Sequence, residues 1–432
     1  MEFESTARNA QVLSADPLSV FLARQHANIG DSSAQKRYNA GEHAWLGDEG
    51  ARVACERLRK RGVIVDSAIF DSIARRDDRE LLRYGELVAL SGDFYESPEA
   101  LFDERPSPLP WLWEANDLSD LRSIFQHELD WIEQRLDGHD DARPYPDENI
   151  RLAWNAKSYV ELALRNVDHF GWHNQLAYAR HHRAALALAA QSQGPDDERL
   201  RQALYTNAFA DHFLTDGFAA GHIRVPRAEI CDWVAAQGWG DRVAGALSKL
   251  LHDQDGHVDL QSLHAGPAEV HAHAHDGIGL PVVNALGERW ETFCDGQLFL
   301  NRSKTDPAVC QAVEAVADSV VELLLAWKQR VQPTGAYSAT RRVPFPDPLA
   351  PTLIDKFPAD MPAGDLQRLW QSIAWFAKVP WLAGLRQDHL VALFRELPAL
   401  MAEFRGHITA SRVEAEAAGL DLSYVDAFCR VA

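Results

Sequence analysis

The sequence predicts an all-α fold, and three observations carry that expectation. Apolar residues recur at three- and four-residue steps over long segments. Alternating patterns are short and isolated, with no βαβ rhythm and no series of hairpins. The 432 residues are 46% apolar and 25% charged, which is ordinary globular usage for one large domain or two smaller ones.

Each element follows from its local pattern. In Asp117–Gly138, residues Leu118, Leu121, Phe125, Leu129, Ile132 and Leu136 form one apolar face, and Gly138 suits a C-cap. His173–Gln191 and Asp196–Asp216 read as two helices broken by Gly194-Pro195. The stretch His252–Pro281 is rich in Gly, His and Asp and reads as a long loop. Thr305–Val331 opens on Asp306-Pro307, an N-cap followed by a first-turn proline. It then places Val309, Val313, Val316, Val320, Leu323, Leu324 and Trp327 on one face. Residues 332–362 hold seven prolines, too many for regular structure. Leu366–Lys378 and His389–Arg405 are helical again. The expected organisation is a helical domain over 1–332, a Pro-rich linker or wrapping segment over 333–362, and a C-terminal helical module over 363–432.

Composition narrows the function. With 43 basic and 63 acidic residues, the formal charge is −20. Such a surface repels nucleic-acid backbones, although a local basic pocket can still bind one phosphate. No stretch approaches the roughly eighteen apolar residues of a membrane span. The N-terminus lacks a standard secretory signal, which leaves the cytoplasm and non-classical export both open. Five widely spaced cysteines without a Cys-x-x-Cys argue for free thiols over a disulfide framework or a thiolate zinc site. Neither a phosphate-binding Gly-rich loop nor a Gly-x-Ser-x-Gly elbow is present.

The histidines are more informative. In Asp211–His222, His212 and Asp216 stand four apart, so a helix projects imidazole and carboxylate from one face. That is a workable edge for zinc, which takes nitrogen and oxygen donors at about 2.0–2.2 Å. Gly217 and Gly221 weaken the helix, so that a turn can bring His222 back. Upstream stand His43 in Gly41–Trp45, Asp93 in Gly92–Glu96, and His169 with His173; downstream stands His252 with Asp253 and Asp255. Each sets a polar group among apolar neighbours, where it must be paired or metal-bound. His271-Ala-His-Ala-His275 carries metal-binding side chains, but its alternate spacing in a loop reads as a solvated segment or a mobile flap.

This ordered series resembles the zinc-dependent phospholipase C family, whose relatives include the fungal zinc single-strand nucleases. The resemblance covers residues from about 40 to about 260 and implies an all-α enzyme with two to three zinc ions in a cleft. It implies that Asp93, His169, His212 and Asp216 ligate a first zinc. Asp216 would bridge to a second, which His43 also binds. His222 would hold a third with His252, and Asp255 is the expected acid partner in place of the family's Glu, since position 256 is Gly. In the family a free amino terminus completes the second site. Here 42 residues precede His43, so the resemblance implies cleavage near Gly30, substitution by another group such as His26, or a second zinc that is weak or absent. Phe94 matches one aromatic of a choline cage and Asn166 replaces the other, so weak discrimination between head groups is expected.

The implied chemistry is hydrolysis of a glycerophospholipid at a membrane or micelle surface by metal-activated water. Asp93 would act as ligand, general base, or both, and the products would be diacylglycerol and a phosphorylated head group. Two other readings stay open: a nuclease or other phosphoesterase on the same scaffold, and a non-catalytic zinc-stabilised helical binding protein.

Overall fold

The computed structural model describes residues 40–76, 81–103, 118–137, 166–255, 280–293, 303–347 and 383–431, with a few isolated positions between them. The architecture is all-α. Helix α1 (Ala40–Lys60) leads through a small antiparallel pair, β1 (Ile73–Ala74) and β2 (Leu81–Leu82), into α2 (Tyr84–Leu90), α3 (Pro98–Asp103) and α4 (Leu118–Leu136). A 3-10 turn at Val167–His169 then opens α5 (Gly171–Gln191) and α6 (Glu198–Asp216). Next come the short α7 (Ala220–Ile223), α8 (Arg227–Ala236) and α9 (Asp241–Asp255). After the hairpin of β3 (Leu280–Val283) and β4 (Arg289–Thr292), the chain forms α10 (Pro307–Gln329) and β5 (Phe345–Pro346). It ends in α11 (Gln387–Ala410), α12 (Arg412–Ala418) and α13 (Leu422–Val431). Among the described residues no helix is long and apolar enough to cross a membrane.

Helix α6 sits at the centre. From Ala203 to Asp216 every residue is buried, as expected of a helix walled on all sides. It packs against α5, α10, α2 and α1. Asp197 caps its start, accepting the Arg199 N–H at 2.9 Å. Asp306 does the same for α10 by accepting from Ala308 N–H, with Pro307 in the first turn. Burying so many apolar residues on both sides of α6 leaves its polar ones, Asn207, Asp211, His212, Thr215 and Asp216, to be satisfied inside the core.

Four sequence expectations need correction. Residue His252 is helical, because α9 runs to Asp255 before the described chain stops; 256–279, with His271–His275, lie outside the described residues. A hairpin at 280–292 stands where no strand is expected, because its strands are only four residues long and one contains Pro281. The Pro-rich stretch is not devoid of regular structure. Residues 333–347 hold a 3-10 turn and β5, which completes the order β4-β3-β5, and they bury Tyr337, Val343 and Phe345. The stretch therefore wraps the core as far as Asp347, while 348–362 lie outside the described residues. Lastly, the expected division between 1–332 and 363–432 does not divide the core. Phe404, Ile408, Tyr424 and Phe428 join the main apolar cluster, and Leu390 to Leu400 join a second one with Phe170, α8 and α9.

Candidate metal centre

The centre is built on the C-terminal turn of α6. His212 and Asp216 project from one face, with Nε2 3.6 Å from Oδ2. The helix stops at Asp216, and a turn follows in which the Phe218 and Ala219 N–H groups donate back to Thr215 and Asp216 carbonyls. Ala220 N–H then donates to the Phe293 carbonyl beside β4, which pins the turn. This reversal brings His222 to 3.8 Å from Asp216 Oδ1. An unbroken helix would have turned it away.

Two distant elements supply the remaining imidazoles. His43, in the first turn of α1, sets Nε2 3.5 Å from Asp216 Oδ1. His169, at the end of the 3-10 turn, sets Nδ1 2.8 Å from Asp216 Oδ2 and 3.4 Å from His212 Nε2. Four imidazoles thus surround one carboxylate that is 1% exposed.

Hydrogen bonds at Nδ1 show which nitrogen carries the proton in three of the four rings. His212 Nδ1 donates to the Val88 carbonyl at 3.1 Å, and His222 Nδ1 donates to the His169 carbonyl at 2.8 Å. The Thr215 hydroxyl donates to the Asp211 and His212 carbonyls, so its lone pair faces His43 and accepts from Nδ1 at 2.7 Å. In His43 and His212 this leaves an Nε2 lone pair turned toward Asp216, the arrangement that metal-binding imidazoles use.

The electrostatics agree. Burial disfavours the charged form of Asp216, yet the imidazoles of His222, His212 and His169 outweigh it and hold the carboxyl below its usual range. Burial first, then the neighbouring His43, pushes the His212 imidazolium well below its usual range against the pull of Asp216.

These residues fit a transition metal of the zinc class. Asp216 Oδ2 is buried without a well-directed hydrogen bond, although His169 Nδ1 stands only 2.8 Å away. Donor atoms crowded around one buried carboxylate could hold a cation. Donors on one tetrahedral zinc stand roughly 3.3–3.5 Å apart for bonds of about 2.0–2.2 Å. The distances from Asp216 to His169, His43 and His212, 2.8 to 3.6 Å, bracket that value.

Asp93 joins from a tight loop after α2. Its ligand atoms and those of His169 and His212 fall within 4.8 Å of one another, as do those of His43, His212 and Asp216. Gly92 makes this possible. Its φ is +71°, and a Cβ there would stand 2.6 Å from the His212 ring and 2.9 Å from that of His169.

His252 arrives from α9 with its ring 5.0 Å from that of His222. Gly221 leaves the space, since a Cβ there would collide with His252. The Asp255 side chain lies outside the described residues, as do His26 and Gly30. Asn166 precedes the 3-10 turn, and its Oδ1 is buried without a hydrogen bond. Phe94 corrects an expectation: it is 2% exposed and packs on Phe125, so it belongs to the core and shows no face to a head group.

Sequence reasoning missed Thr215 and the Val88 carbonyl. Thr215 had a signal, a polar residue inside the His212–Asp216 turn of a helix with apolar neighbours. A backbone acceptor such as Val88 leaves none. Neither a family model, nor a curated protein, nor a solved structure matches this chain.

Proposed function

We propose that the chain is a zinc-dependent phosphodiester hydrolase, and that its substrate is a glycerophospholipid cut on the glycerol side of the phosphate. One observation carries the reading: four imidazoles converge on the buried carboxylate of Asp216, two of them with a proton-bearing Nδ1 tied back and Nε2 left for a metal. His43, Asp93, His169, His212 and Asp216 would hold two zinc ions, and His222 with His252 would supply two donors to a third. Bound zinc supplies charge neutralisation for an anionic phosphodiester and makes water acidic enough to act as a nucleophile near neutral pH.

The residues' own tasks follow from their placement. With imidazoles as uncharged zinc ligands, Asp93 and Asp216 would be the negative charges of the donor set, so two divalent cations would make a site of about +2 within a −20 chain. A phosphodiester is drawn to that site, while a long polyanion meets an acidic surround. Asp93, only half-buried, can take a proton on a carboxylate oxygen as water adds to phosphorus. The diacylglycerol oxygen leaves and would take that proton from Asp93, and the phosphate stays with the head group. Val88, Thr215 and the His169 carbonyl keep the rings from turning during this exchange.

The test is zinc-loaded full-length protein on mixed micelles of phosphatidylcholine or phosphatidylethanolamine, beside single-stranded DNA at equal enzyme. Release of diacylglycerol and phosphorylated head group, lost in Asp216→Asn, is expected. Faster cleavage of DNA than of every lipid would make the protein a nuclease, and no hydrolysis of either would make the centre non-catalytic.

A further inference from the structure

A second cluster of metal-binding side chains shares no residue with the centre on Asp216. His173 comes from the first turn of α5, Glu229 from the first turn of α8 and His407 from the last turn of α11. One ligand atom from each lies within 4.8 Å of the others. His407 Nδ1 is 2.7 Å from Glu229 Oε1 although 178 residues separate them in sequence.

The polar accounting of this cluster does not close with protein groups alone. Glu229 is 0% exposed, and its Oε2 is buried without a hydrogen bond. Nε2 of His173 is likewise buried and has no hydrogen-bond partner. A carboxylate taken fully out of water and given one hydrogen bond is costly unless a further charge meets its other oxygen. The residues that carry the unsatisfied carboxylate oxygen and imidazole nitrogen belong to one cluster, where a single cation could meet both.

We infer that His173, Glu229 and His407 form a separate zinc-class site that clips the C-terminal helix α11 to α5 and α8. Two imidazoles with one carboxylate select a transition metal over calcium or magnesium, which prefer oxygen donors. Three ligands leave a position for water, and the His407 side chain, 42% exposed, gives solvent a way in. The three helices come from both sides of the Pro-rich stretch, so the ion would tie the end of the chain to the domain that holds the Asp216 centre.

The experiment uses full-length protein stripped with chelator, titrated with zinc and read by bound-metal stoichiometry. In an Asp216→Ala background, which removes the other centre's shared ligand, Glu229→Gln should weaken the tightest remaining zinc by more than about 100-fold. Loss of an outer-shell partner costs only 10–100-fold by comparison. Gln keeps the shape of Glu229 and can still accept from His407, so the variant tests the charge and not the packing. Otherwise-native protein carrying Glu229→Gln or His407→Asn should lose one zinc equivalent and keep those on Asp216, which covers the case where Asp216→Ala fails to fold. Zinc should also slow proteolysis within 383–410 in native protein and not in Glu229→Gln. Equal zinc binding with and without Glu229→Gln in both backgrounds would overturn the inference, leaving a plain Glu229–His407 hydrogen bond. Loss of zinc by Asp216→Ala alone bears on the other centre and not on this one.

Discussion

His169 Nδ1 and Asp216 Oδ2 stand 2.8 Å apart without a well-directed hydrogen bond between them. The two residues come from different elements, a 3-10 turn before α5 and the last turn of α6. Their approach requires α5 and α6 to pack closely and Gly92 to leave room for both the His169 and His212 rings. The relationship puts Asp216 at the hub of the site.

Metal should therefore stabilise the fold. Ligand present at about 1,000 times its Kd contributes about 4 kcal/mol when it binds only the folded chain. Chelator should lower the denaturant midpoint of the native protein and zinc should restore it. Asp216→Asn should respond far less, and an equal response would remove Asp216 from the metal shell.

Thr215→Val tests the support behind the site. It keeps the volume of Thr215 and removes the acceptor of the His43 Nδ1 proton. Zinc affinity should fall about 10–100-fold, with a stability loss of about 1–3 kcal/mol for the unsatisfied donor. A calorimetric zinc titration matching the native protein would show that His43 is oriented by something else.

Gly92→Ala should damage the centre more than the fold around it. A non-glycine residue at φ +71° costs about 1–2 kcal/mol, and the added Cβ pushes on the His212 and His169 rings. Zinc content should fall along with hydrolysis, while circular dichroism keeps its helical signal. Full zinc content in this variant would contradict the geometry.

Phe94→Ala separates a core residue from a substrate contact. As a buried ring packed on Phe125, Phe94 should cost about 3–5 kcal/mol on truncation and should lower choline and ethanolamine lipid turnover in equal proportion. A selective loss of phosphatidylcholine turnover would restore it to the binding site.

Asp48 sets a pH dependence away from the metal. Burial raises its carboxyl to about 6, which the Arg83 guanidinium and the Gly85 N–H only partly offset. The folded chain then holds this proton at a pH where the unfolded chain has released it. Stability from Asp48 is full below about pH 4 and declines as pH rises through about 6. Asp48→Asn keeps an acceptor for Gly85 and should be more stable than native protein by about 1–2 kcal/mol at pH 7.5. The gain is held to that range because the Asp48 side chain is 32% exposed. It should vanish at pH 4; urea melts at the two pH values give the comparison.

The legible part of this protein was what lies close in sequence. Apolar steps and the Asp306-Pro307 start located α10 to within two residues at each end. The pair His212 and Asp216 declared itself because helical spacing is fixed, and Gly217 marked where the chain turns. Long-range convergence was legible only through family resemblance, as for His43 and His169. Where no such pattern existed it was invisible: Glu229 and His407 meet across 178 residues with no shared motif. The reach of α9 through His252 was masked because the Gly, His and Asp of the following stretch dominate the local composition.

Anomalous diffraction at the zinc edge, from crystals of the full-length protein grown with zinc, tests the central claim most directly. The account predicts anomalous peaks about 2.0–2.2 Å from Asp216 carboxylate oxygens and from His212 Nε2, with His43 and His169 completing the shells. No peak among these four side chains, in crystals whose solution contains zinc, would contradict it.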